Sequence, residues 1–173
     1  MSQDLDLSKL SLKDALDLAV LVEEEARERY EEFADQMETH HTKEAATFFR
    51  FMAANETKHG QDLADRRKVL FGDAPRTVSR LQFFDVEAPD YDEARAFMSP
   101  RQAMAVALQC EVKAEAFFVE ALNHVTDPDV QKLFSELRID ETHHKALVDA
   151  EIAKLPPPSP VDDEDYVDEP VGQ

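Results

Sequence analysis

The chain has little of what cross-links, tightens or positively charges a protein. It has one cysteine, Cys110, which excludes an intramolecular disulfide and any four-cysteine metal site. Three glycines in 173 residues are too few for the many tight turns of an all-β chain. Basic residues number 19 against 38 acidic ones, a net charge of −19. Such a surface is expected to bind neither nucleic acid nor anionic membrane, but it attracts cations. The longest uninterrupted apolar run, Ala103 to Leu108, is far shorter than the roughly 20 residues of a membrane span. The N-terminal residues lack a basic region followed by an apolar one, so no secretory signal is expected. A cytoplasmic protein in a reducing compartment is the expectation.

What is present is helical periodicity. Four long helices are expected. The first runs from Ser11 to Gln36 and opens with a capping-box-like Ser11 and Asp14. The second spans Thr42 to Phe71 and stops before Gly72 and Pro75. The third opens at Ser99-Pro100-Arg101-Gln102, a serine cap with proline at the first position and glutamine at the third, and ends near Thr126. The fourth opens at Asp127-Pro128 and ends before Pro156. Short loops make helices one and two antiparallel neighbours, and likewise three and four. The connection between helices two and three, Gly72 to Met98, is long enough to run the length of a bundle, and a short helix is expected at Tyr91–Phe97. The domain expectation is therefore a helical bundle over 11–155 and a tail over 156–173. That tail has five prolines, six acidic residues and no lysine or arginine, so it is expected to be disordered.

The chain also repeats itself. A shift of 88 residues carries Ala15, Ala19, Glu23 and Tyr30 onto Ala103, Ala107, Glu111 and Phe118. A shift of 85 carries Phe49, Glu56, Thr57 and His59 onto Phe134, Glu141, Thr142 and His144. The repeated unit is a helical hairpin.

The repeat's glutamates and histidines fall in the apolar stripes. Ala15, Ala19, Glu23, Ala26, Tyr30 and Phe33 share one face of helix one, and Phe49, Met52, Glu56, His59 and Leu63 one face of helix two. Ala103, Ala107, Glu111, Ala114, Phe118 and Ala121 do so in helix three, as do Val130, Phe134, Leu137, Glu141, His144 and Val148 in helix four. An isolated buried carboxylate costs several kcal/mol or takes up a proton. Four in one core repel unless something compensates them. Two divalent metals neutralise four carboxylates, and the ligand types, carboxylate and imidazole without thiolate, suit iron or manganese. His143 points about 100° away from His144 around the helix and is expected in solvent, with His40, His41 and His124. Cys110 reads as a small core filler. Gly60, mid-helix beside His59, leaves two readings open: space beside a ligand, or a close helix contact.

With these motifs in place the sequence resembles the rubrerythrin and ferritin-like di-iron family. Glu23 followed seven residues later by Tyr30 looks like that family's first-helix motif, and Glu56-Thr57-Lys58-His59 and Glu141-Thr142-His143-His144 look like its second and fourth. The family uses one glutamate from each of two helices and Glu-x-x-His from each of the other two. The resemblance covers about Leu12 to Leu155. It implies an all-α, ferritin-like four-helix bundle holding two iron ions, diferrous or oxo-bridged diferric, with manganese as the alternative. Glu56 and Glu141 would bridge the metals, Glu23 and Glu111 would be terminal ligands, and His59 and His144 would serve one metal each. Tyr30 would hydrogen-bond near the site, unless it is only a packed aromatic.

The implied activity is reduction of hydrogen peroxide at a diferrous centre. The alternatives are a ferroxidase that reacts with dioxygen and handles iron, and a non-catalytic metal-binding bundle. Typical rubrerythrins add a rubredoxin-like site with four cysteines; this chain cannot build one, so electrons would come from an external protein such as a rubredoxin, or from ferrous iron. Rubrerythrins also carry a glutamate three residues after the third-helix ligand. Here that position is Ala114, and Glu115 is the candidate substitute ligand. A homodimer or larger homo-oligomer is expected.

Overall fold

The computed structural model describes residues 6–40, 42–80, 86 and 98–157. The segment expected to form a helix at 91–97 and the tail from residue 158 lie outside the described residues. Four helices carry the architecture: α1 (Leu12–Thr39), α2 (Lys43–Phe71), α3 (Pro100–His124) and α4 (Pro128–Ile152), preceded by a 3-10 turn at Leu7–Lys9. This is the expected ferritin-like four-helix bundle.

The starts follow from local chemistry. The Ser11 hydroxyl accepts the Asp14 N–H, and Asp127 accepts the N–H groups of Asp129 and Val130. At α3 the capping box is complete: the Gln102 N–H donates to Ser99 Oγ at 3.2 Å, and the Ser99 N–H donates to Gln102 Oε1 at 2.8 Å. Pro100 and Pro128 stand at the first helical position, where no N–H is needed. α2 ends at Gly72, whose φ of +58° favours glycine. α1 runs three residues past Gln36, because no glycine or proline stops it before the loop. α3 ends two residues earlier than expected, at His124, and α4 frays after Ile152 into turns that reach Leu155.

The stripes face inward as their spacing requires. Every member is buried except His59 and His144, which are half-buried. Two apolar clusters result. One gathers Ala15, Ala19, Leu63, Phe118, Phe134 and Leu137; the other gathers Ala26, Tyr30, Phe49, Met52, Ala107 and Val148. On all four helices the stripe glutamates fall between these clusters. α1 and α4 run from the first cluster to the second, and α2 and α3 run back. The chain therefore leaves α2 at one end of the bundle and must re-enter α3 at the other, which is why the second connection is long.

The described part of that connection lies along α1. The Thr77 N–H donates to Asp17 Oδ2 at 3.2 Å, Arg76 grips Glu24 at 2.8 and 3.1 Å, and Arg80 grips Glu28 at 2.6 and 2.8 Å. Asp17 is fully buried, and Lys13 and Arg67 both pair with it. No helix among the described residues is long and apolar enough to cross a membrane.

Candidate metal centre

The layer between the apolar clusters holds one glutamate from each helix. Glu23, Glu56, Glu111 and Glu141 are 5%, 1%, 0% and 2% exposed. Their helices place them there by the same 3.6-residue period that buries their alanine and phenylalanine neighbours. Water has been removed from four acids at once.

The histidines close one side of the layer. His144 Nδ1 lies 3.2 Å from Glu111 Oε2 and 3.4 Å from Glu141 Oε2. His59 Nδ1 lies 3.8 Å from Glu56 Oε2, and the two imidazoles stack with centroids 4.5 Å apart and planes 6° from parallel. Two overlapping donor groups follow, Glu56–His59–His144 and Glu111–Glu141–His144, each with candidate ligand atoms within 4.8 Å of one another. Glu23 faces the same acids across the layer.

Electrostatics record the crowding. Burial pushes the Glu23 carboxyl well above its ordinary value, and the charges of Glu56, Glu141 and Glu111 push the same way. Burial, reinforced by Glu56 and Glu141, raises Glu111 to about 8 despite its contact with His144. Burial opposes charge on His144, but Glu111 and Glu141 outweigh it and raise its pKa to about 10.

Five buried carboxylate oxygens accept no hydrogen bond: Glu23 Oε2, both oxygens of Glu56, Glu111 Oε1 and Glu141 Oε2. Buried acceptors are normally satisfied, and orphaned ones cost about 1–3 kcal/mol each. Hard cations use such oxygens, and imidazole beside carboxylate without thiolate suits first-row metals such as iron or manganese. The residues fit a metal centre.

Two further candidates sit differently. Glu115 belongs to neither donor group: its carboxylate accepts from Lys145 Nζ at 2.5 Å and Thr142 Oγ1 at 2.9 Å. Tyr30 is fully buried in the second apolar cluster, its ring stacked on Phe49 with centroids 6.1 Å apart. Of the residues expected at the surface, His143, His40 and His124 are exposed, and His124 meets Glu120 at 2.9 Å. His41 lies outside the described residues. Cys110 is buried.

Comparison with known proteins gives this arrangement its context. The family model for rubrerythrin matches residues 14–152, a span that contains all four helix cores and all six donor residues. The chain belongs to the rubrerythrin family. Among solved structures, this rubrerythrin-family chain is similar to an uncharacterized conserved protein from Magnetospirillum magnetotacticum MS-1. The two are 32% identical with a TM-score of 0.66, over 87% of this chain and 99% of that one. No curated protein matches the chain.

Two features of this rubrerythrin-family site sharpen or add to the sequence reading. Gly60 brings α2 so close to α1 that a Cβ there would stand 3.3 Å from Glu23 Cβ, and an open recess lies beside it. The close helix contact left open for Gly60 is therefore present, and the recess leaves space beside Glu23. The other is Lys145, which stands at the position equivalent to Gly60 in the repeat; the shift of 85 was the available signal.

Proposed function

We propose that the chain is a non-haem di-metal oxidoreductase that reduces hydrogen peroxide with electrons from an external carrier such as a rubredoxin. The observation that carries this reading is the layer of four buried glutamates with five unsatisfied oxygens, faced by two stacked histidines. Glu56 and Glu141, one on each hairpin, are the proposed bridging ligands; Glu23 and Glu111 are terminal; His59 and His144 complete the set. A reduced iron pair held there would supply the two electrons that, with two protons, convert hydrogen peroxide to two waters. The protein's own part is to exclude water with the two apolar clusters and to hold the six donors in place. In the metal-free chain Glu23 holds a proton well above the ordinary carboxylate range and His144 holds one at neutral pH, and both protons would leave when these residues take up metal. Tyr30, two turns from Glu23 on the same face, is the proposed phenol near the site.

A second reading, a ferroxidase that oxidises ferrous iron and hands it on, is favoured by one specific observation. The third-helix position that carries an extra glutamate in rubrerythrins is the buried Ala114, and Glu115 is held by Lys145. We accordingly leave Glu115 out of the proposed ligand set. The readings separate when iron-loaded protein is reduced anaerobically and mixed with peroxide or with dioxygen while its iron absorbance is followed. The peroxidase reading expects oxidation by peroxide at least about tenfold faster, with turnover restored by a reductant. Faster reaction with dioxygen and accumulation of many irons per chain would select iron handling.

A further inference from the structure

The two halves of the bundle repeat each other at the donor residues but not at the surface above them. Between α1 and α2 an open recess of about 230 Å³ leads down to Glu23 and Glu56, lined by Gly60, Glu24, Arg27 and the exposed Gln61. Glu23 and Glu56 are 5% and 1% exposed, and three of their oxygens lack hydrogen-bond partners. On the α3/α4 side, Gly60 is replaced by Lys145 and Arg27 by Glu115, while Thr57 is kept as Thr142. There Lys145 and Glu115 pair with each other, and Thr142 adds a hydrogen bond. One face is notched where its counterpart is bridged.

We propose that the Gly60 notch is the route by which a divalent cation reaches the centre. This rests on the di-metal reading above. The recess has room for several waters, so an ion can enter partly hydrated. Along the wall the charges are paired, Glu24 with Arg76 at 2.8 Å and Arg27 with Glu31 at 3.1 Å. No free cation among the described residues therefore bars the way, and the attraction comes from the carboxyls of Glu56 and Glu23 at the inner end. At the inner end, Glu56 and Glu23 offer oxygens that replace the shed water. A side chain at position 60 would enter the notch beside Glu23, its Cβ 3.3 Å from Glu23 Cβ.

The test uses the full chain, with Co(II) absorbance as the probe in stopped flow and a chelator to follow release. Gly60→Lys copies the second half, and Gln61→Trp covers the mouth from an exposed position that does not threaten folding. Each variant should take up and release Co(II) at least about tenfold more slowly than wild type, because a barrier on a route slows both directions equally. Gln61→Trp should also keep the final metal count and melting temperature of the loaded protein, while Gly60→Lys, whose Cβ would stand 3.3 Å from Glu23 Cβ, is compared by its rates alone. Adding Lys145→Gly to Gly60→Lys, which opens the opposite face, should restore uptake. Uptake by Gln61→Trp within twofold of wild type would overturn the route while leaving the metal centre standing. Slowed uptake with unchanged release would also overturn it, as that marks a damaged site. Failure of wild type to bind Co(II) at all would overturn the di-metal reading itself.

Discussion

Glu23, Glu111 and His144 feel the same dry layer in opposite ways, and their titration gives the layer a measurable signature. In the unfolded chain both glutamates ionise near 4.5. In the folded, metal-free chain Glu23 holds its proton well above that, and Glu111 holds its proton to about 8. Between those values the unfolded state binds fewer protons, so folding stability falls as pH rises. His144 is raised from 6.5 to about 10; its contribution is complete below 6.5 and is lost as pH climbs through the folded value. The signs agree. The metal-free protein should melt at steadily lower temperature from pH 5 to pH 8 in calorimetry. The metal-loaded protein should lack this fall, because metal binds the ionised carboxylates and stabilises the fold by linkage. Parallel pH profiles for the two forms would contradict the assignment.

At the scale of helices and connections, Asp17 ties α1 to α2 and to the start of the long crossover. Its carboxylate is fully buried, and Arg67 and Lys13 are only 11% and 18% exposed. Removing one member of a buried ion pair leaves the others uncompensated, at about 3–5 kcal/mol. Asp17→Ala should therefore lower urea-unfolding stability by about 3 kcal/mol while the metal count stays at the wild-type value, since Asp17 lies outside the donor layer. Loss of metal with unchanged stability would show that the network serves the site instead. The stripes and caps were legible because they depend on residues three and four apart in one helix. Glu23, Glu56, Glu111 and Glu141 could thus be placed inside from spacing alone. Contacts set by the register between helices were not legible in this way. Glu115 looked available as a ligand because Lys145 lies 30 residues away, and only the packing of α3 on α4 brings them together. The burial of Asp17 is likewise not local, since its partners Arg67 and the Thr77 N–H come from α2 and from the crossover. The face-to-face stacking of His59 on His144 depends on the rotation of two helices that no single helix encodes.

The whole molecule is two apolar clusters separated by a layer of acids, inside a chain whose net charge is −19. Each cluster draws on all four helices, so the layer is clamped from both ends. Such an acidic exterior raises the local concentration of cations without choosing among them. The choice belongs to the carboxylate and imidazole donors inside. The central claim is that these six residues hold a pair of metal ions. It is tested most directly by elemental analysis of the full chain after anaerobic loading with Fe(II) and removal of loosely held metal, with Glu56→Ala/Glu141→Ala prepared alongside. The account predicts about two iron ions per wild-type chain and few in the double variant. Less than about half an ion per wild-type chain, or an equal count in the variant, would contradict it.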